Sequence, residues 1–250
     1  YTVGFIAKLQ YEAIEAVDPE DPEVEISEEK LAAIVAESRV LRAYHYMKIM
    51  DLWGNVPIVT EIARPGGDLT PSTKSREEVF AFVEQELLEN VENLSLLSPQ
   101  MLGRVSRAAG YAMLSELYLN AEVWSGEARW AEAAEYADRV IAGDGGALAG
   151  TIKLDQDPLG PFNNTNEDAP ENIFQFPYSP DNGFGYNWAG LFMGFSNMTA
   201  ALDVNYSGNN ALVVIPSAFD AYQDNDIRKD EWFLFGPQYK YGTTEPILGS

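Results

Sequence analysis

The sequence predicts a mainly α fold, a helical superhelix scaffold packed with an irregular, loop-rich region containing short strands. Two observations carry that expectation. Apolar residues recur every three or four positions through the first part of the chain, and from about Gly143 onward glycine, proline, asparagine and aspartate cut the pattern into short runs. The implied boundary puts the helical scaffold at residues 1–145 and the loop-rich region at 146–250. The two are expected to pack as one structural unit, because the second holds too little continuous apolar sequence to fold alone. Hydrophobic residues make up 46% of the 250, enough to build a core.

Ser27, followed by Glu28 and Glu29, is an N-cap with carboxylates placed at the positive end of the helix dipole. From it Leu31, Ile34, Val35, Leu41, His45, Ile49 and Leu52 recur at helical spacing over about 25 residues. A second apolar edge, Val40, Ala43, Tyr44, Met47 and Met50, widens the stripe and predicts an inner helix with neighbours on both sides. Gly54 and Pro57 end it, the glycine by its backbone freedom and the proline by lacking an N–H. Trp53, at the exit, is placed where its ring can reach solvent.

Ser75-Arg76-Glu77-Glu78 has capping-box spacing and opens a helix whose apolar positions are Val79, Phe80, Val83, Leu87, Val91 and Leu94. A third helix is expected from about Val105 to Val123 and a fourth from about Trp130 to Ala142, together forming a hairpin. Trp130, Ala133, Ala137 and Val140 resemble the aromatic and small-residue pattern in the second helix of a tetratricopeptide repeat. Beyond Gly143, Ile173 to Phe176 and Leu212 to Ile215 are expected as short strands between turns.

Composition excludes several classes of function. Sixteen basic residues against 39 acidic give a formal net charge of −23, which repels a phosphate backbone and excludes nucleic acid as a partner. The same charge fits a neutral or cationic ligand, solubility in salty surroundings, or an acidic outer face. Cysteine is absent and there is one histidine, so thiol chemistry, disulfides, zinc sites and serine–histidine triads lack their residues. No cofactor and no metal are expected. Asp155, Asp157 and Gly160 imitate the opening of an EF-hand loop, but Leu159 occupies its fifth position and Asn166 its twelfth, where a bidentate glutamate is needed. His45 falls on an apolar stripe and is expected to be packed core. Arg39 and Arg42, on the inner helix, are expected to pair with buried carboxylates or carbonyls. No run approaches the roughly 18 apolar residues of a transmembrane helix, and the opening YTVGFIAKLQ has no signal-peptide features.

Five stretches together resemble the SusD/RagB family of outer-membrane nutrient-binding lipoproteins. SRVLRAYHYMKIMDLWGNVPIVTE is similar to the family's Arg-Ala-Tyr helix leading to a Gly-Asn-Val-Pro turn. GRVSRAAGYAMLSELYLNAEVW, WAEAAEYADRVIAGD, APENIFQFPYS and FDAYQDNDIRKDEWFL come after it in family order, the last resembling an Asp-x-Arg-x-Asp turn before a strand. The matched region runs from roughly Ala32 to Phe235. Family members are about twice this length, so the sequence reads as the middle of such a protein, without the N-terminal lipid-modified cysteine or the C-terminal helix.

The resemblance implies a tetratricopeptide-like scaffold and a non-enzymatic, cell-surface glycan-binding protein of polysaccharide utilisation. It would sit on the outer membrane of a Gram-negative bacterium, held by an N-terminal lipid anchor not present in this chain. It would capture oligosaccharides and deliver them to a SusC-like TonB-dependent transporter docked on the helices, with ligand contacts coming from the loop-rich region, 146–250. The alternative within the family is a peptide-binding member.

Sugar chemistry points to one stretch independently. Pyranose rings offer apolar CH faces to aromatic rings, and their hydroxyls need amides and carboxylates. Tyr178 to Met198, YSPDNGFGYNWAGLFMGFSNM, mixes both kinds. The candidate ligand residues are Trp188, Tyr186 and Asn187 first, then Phe184, Asp181, Asn182 and Phe192, among glycines that allow close backbone approach. The rival from another class is a glycoside hydrolase using a carboxylate pair, for which Glu167, Asp168 and Glu171 beside Asn163 and Asn164 are the place to look.

Overall fold

The computed structural model describes residues 27–60, 70–148, 150–163, 165–177, 191, 196–203, 208–209, 211–233 and 236–247. The chain divides into two compact units, Tyr1–Leu154 with Glu167–Phe176, and Asp155–Asn166 with Pro177–Ser250.

The first unit is built on helix α1, Glu28–Trp53, where Ser27 Oγ accepts from the Lys30 N–H at 3.3 Å. Its deepest face is Ala36, Val40, Ala43, Met47 and Met50. The second apolar edge is therefore the core face. The stripe from Leu31 to Leu52 is only half-buried in its middle and exposed at both ends, so α1 is less enclosed than the expected inner helix with neighbours on both sides. The reason is the neighbour: α2, Arg76–Asn90, runs antiparallel along α1, and Arg42 Nε reaches the buried Glu86 carboxylate at 2.9 Å while Arg39 lies 3.7 Å from Glu89. Arg42 thus holds the buried carboxylate expected of it. His45 is half-buried, with Nδ1 2.8 Å from the Leu41 carbonyl and its ring edge-on to Tyr44.

The exit of α1 is a firm stop. Gly54 has φ of 72°, its N–H bonds back to the Met50 carbonyl, and a Cβ there would press on the Arg76 guanidinium at 3.3 Å. Asn55 Oδ1 accepts from the Arg76 N–H at 2.8 Å, so the turn also satisfies the first turn of α2. Val56–Pro57 (β1) then pairs antiparallel with Thr73–Lys74 (β2), Val56 opposite Lys74. Ser75 and Glu78 form the expected capping box. The Ser75 N–H, and then Lys74, hold the Glu78 carboxyl below its ordinary range. That contribution is complete above the ordinary carboxylate pKa and is lost as pH falls through the lowered one.

The third expected helix is two: α3, Arg107–Leu119, and α4, Ala121–Ser125, separated at Asn120. Asn120 turns its amide onto the Glu116 carbonyl at 2.9 Å, a local bond that competes with helix continuation. Helix α5, Trp130–Ala142, has the predicted bounds, with Gly143 in the left-handed region at its C-cap. It runs antiparallel to α3, Ser115 Oγ donating to the Ala133 carbonyl at 2.9 Å. Ala133 and Val140 are buried as the repeat-like pattern requires, but Trp130 is exposed.

Two ion pairs join α1 to the α3 segment, Glu37 with Arg104 and Lys48 with Glu116, separated by 67 and 68 residues in sequence. So nearly constant an offset fixes α1 and α3 as parallel and in register. Two hairpins, α1–α2 and α3–α5, therefore stack in one core that includes Val83, Leu87, Tyr111, Leu114 and Leu117. Among the described residues no helix is long and apolar enough to cross a membrane.

The expected strands at Ile173 to Phe176 and Leu212 to Ile215 do not form; both are irregular. Ile173 and Phe174 instead pack against the helical core, and side-chain burial there needs no ladder partner. In the second unit the described elements are α6 (Ser196–Leu202), α7 (Pro216–Asp220) and α8 (Ile227–Glu231). The Asp-x-Arg-x-Asp stretch is thus a short helix, because Asp226 caps it by accepting from the Arg228 N–H at 3.1 Å.

Candidate functional site

The seven residues singled out for ligand contact, Trp188, Tyr186, Asn187, Phe184, Asp181, Asn182 and Phe192, lie outside the described residues. The Leu191 carbonyl, in the same stretch, accepts from the N–H groups of Ala211 and Leu212, each at 3.0 Å.

Within the second unit the described residues form an aromatic surface that the sequence pattern did not single out. Its first half is the loop from Asp155 to Asn163. Asp155 Oδ1 accepts from the Asp157 N–H at 3.1 Å and Asp157 Oδ1 from the Leu159 N–H at 2.9 Å, so the two carboxylates tie successive turns. Gly160 lies so close to the Asp155 carboxyl that a Cβ would collide with it. The carboxylates that imitate an EF-hand opening are thus turn formers. Among the described residues no group of three His, Asp or Glu side chains is placed to hold a metal. The Gly160–Phe162 turn then presents Phe162, 70% exposed.

The second half is α8 with the two aromatic residues at its C-terminal end, Trp232 and Phe233. Trp232, 42% exposed, stands edge-on to Phe162 with ring centroids 5.8 Å apart, and its indole N–H donates to the Pro158 carbonyl at 3.0 Å. That bond fixes the ring while leaving much of it open. The Arg228 guanidinium lies 5.6 Å from the Trp232 ring and 5.3 Å from that of Tyr222. Asp226 neutralises it with two bonds, 2.9 Å from Nε and 2.6 Å from Nη2, and its hydrogen bond from Arg228 holds the Asp226 carboxyl below its ordinary range. Behind this surface Phe233 packs edge-on to Phe219 and Tyr222, at 5.5 and 5.3 Å. The signal available in the sequence was the Asp-x-Arg cap leading at once to Trp232-Phe233.

The aromatic groups of the helical unit serve packing. Tyr118 donates to Glu84 at 2.8 Å and Tyr111 to Glu92 at 2.9 Å, and burial, reinforced by those carboxylates, pushes both phenols above their ordinary range. They are permanent donors and not bases. At Glu92 burial pushes the carboxyl up, but bonds from Tyr111 and Arg139 outweigh it and leave it lowered. Tyr44 packs on Phe174 and Phe176 at 5.7 and 5.9 Å. Trp53 is 68% exposed, as its place at the helix exit suggests. Glu167 and Asp168, named for the hydrolase alternative, are exposed in a turn.

The same architecture occurs in known proteins. Starch-binding protein SusD of Bacteroides thetaiotaomicron is 36% identical over 106 residues, 42% of this chain and 18% of that protein. A SusD superfamily protein from Bacteroides fragilis superposes with a TM-score of 0.71 at 21% identity, over 97% of this chain and 51% of its own. Surface glycan-binding protein A from Bacteroides uniformis gives 0.70 at 18% identity, over 98% and 49%. No protein-family model matches the chain. The chain is similar to SusD-like proteins over part of its length, and its mainly helical fold is that of solved SusD-like structures. It spans about half the length of those structures, so it is a partial chain relative to them.

Proposed function

We propose that this chain belongs to a cell-surface protein of the outer membrane that captures oligosaccharides and delivers them to a SusC-like TonB-dependent transporter, without cleaving them. The observation that carries the reading is the 36% identity to a starch-binding protein. An exposed ring pair in the second unit, Phe162 and Trp232, agrees with it, since sugar faces stack on such rings. In this reading the helical residues to about 145 are scaffold and the region after 146 carries the ligand. A lipid anchor preceding this segment would hold the protein at the membrane.

The transporter contact is assigned to one end of the helical unit. The register of α1, α3 and α5 brings Leu52, Trp53, Leu119 and Trp130 towards the same end, all exposed. Such a gathering of large apolar groups is what a protein partner covers.

The ligand residues Trp188, Tyr186 and Asn187 remain the first choice in the loop. Trp188→Ala is expected to weaken glycan binding by roughly 1–3 kcal/mol, about the worth of an aromatic face, with the melting temperature unchanged. Unfolding of that variant would show the ring to be core. The function itself is tested by native electrophoresis of the protein in gels cast with a panel of polysaccharides. Retardation by a glycan is the expected outcome; retardation by none, with binding to peptides instead, identifies the peptide-binding alternative.

A further inference from the structure

We infer that the Phe162–Trp232 surface is a stacking site for uncharged glycans. The inference rests on the glycan-binding reading and adds to it the place and the charge class of the ligand.

The geometry supplies the stacking part. Phe162 is the more exposed ring, held by a turn that begins Gly160-Pro161, and Trp232 is locked by its N–H bond to Pro158. Two rings at 83° leave a corner, not a flat plate, which suits a sugar chain that turns from one residue to the next. The Trp232 ring is fixed by that N–H bond before the ligand arrives, so little of its ordering entropy is lost on binding.

The charge class comes from the ion pairs. An anionic glycan, a uronate or a sulfated chain, requires a cation whose charge is available to it. The two cations of the segment from Phe219 to Trp232 are both committed, Arg228 to Asp226 and Lys229 to Asp224 at 3.0 Å. The same segment also carries Asp220, Asp230 and Glu231, and the facing loop carries Asp155 and Asp157. A carboxylate or sulfate brought to Phe162 meets a field of its own sign, on a chain of formal net charge −23. A neutral pyranose meets only the rings and hydrogen-bonding groups.

The test has two parts. Gel retardation and calorimetry are run with neutral polymers (soluble starch, laminarin, xyloglucan, arabinoxylan) and anionic ones (polygalacturonate, alginate, chondroitin sulfate), at low and high salt. We expect binding among the neutral set only, unchanged by salt, and weakened about ten-fold by Phe162→Ala with an unaltered thermal melt. The double variant Phe162→Ala with Trp232→Ala should lose more. Binding of an anionic polymer that fades with salt overturns the charge class and leaves glycan capture standing. Unchanged neutral-glycan affinity in the folded Phe162→Ala protein overturns the site. Absence of binding to either set overturns the glycan reading and this inference with it.

Discussion

Gly146→Ala is expected to destabilise the helical unit by about 2–5 kcal/mol, the sum of left-handed backbone strain and steric overpacking. Gly146 has φ of 86°, and a Cβ there would sit 2.5 Å from the carbonyl oxygen of Leu97 and 2.6 Å from its nitrogen. Neither atom can step aside, because the Leu97 N–H is bonded to the Gly145 carbonyl at 2.7 Å and Leu97 forms a parallel bridge with Gly146. Gly143 is the control. Its φ is 82°, yet nothing lies within 4 Å of its Cβ position, so Gly143→Ala should cost only the conformational part, about 1–2 kcal/mol. Chemical denaturation of the two variants measures the difference. Equal losses would mean that the chain after α5 is not held against Leu97. That attachment adjoins the small cluster of Leu97, Met101 and Ala108 on which Leu148, Ile152 and Ile173 pack.

Leu114→Ala is expected to cost about 2–5 kcal/mol. Leu114 is fully buried in α3, in the core shared by both helical hairpins, where the walls are main-chain helices that cannot collapse into the space left behind. Leu119, on the same helix, is exposed, and Leu119→Ala should stay within about 0.5 kcal/mol. If the two variants denature alike, the assignment of the α3 core face is wrong.

The helical half was largely legible in the sequence because its signals are local. Ser27 and Ser75 cap at the expected positions, α5 has its predicted bounds, and Arg42 holds a buried carboxylate. What failed there depended on neighbours. Two apolar stripes on α1 cannot be ranked until it is known that α2 and α3 both lie against one of them, and Trp130 fits a repeat-like spacing that does not itself say which neighbour covers the ring. The asparagine break at Asn120 was visible as a residue type but not as a choice between two bonding patterns. In the second half, Ile173 to Phe176 looked like a strand because a short, largely apolar run between turns satisfies either a ladder or a docked coil, and only the surrounding core decides. The Phe162–Trp232 pair joins residues 70 apart through a backbone carbonyl, a juxtaposition no window of sequence contains. The candidate ligand residues from Asp181 to Phe192 rest on their composition.

The central claim is capture without cleavage, and one measurement addresses both halves of it. The protein is incubated with the polysaccharide that retards it most, and bound protein and new reducing ends are monitored in the same sample over hours. The account predicts saturable binding with reducing ends constant at the level of the polysaccharide alone. Reducing ends that grow in proportion to protein and time would contradict it and turn attention to a carboxylate pair flanking the scissile bond.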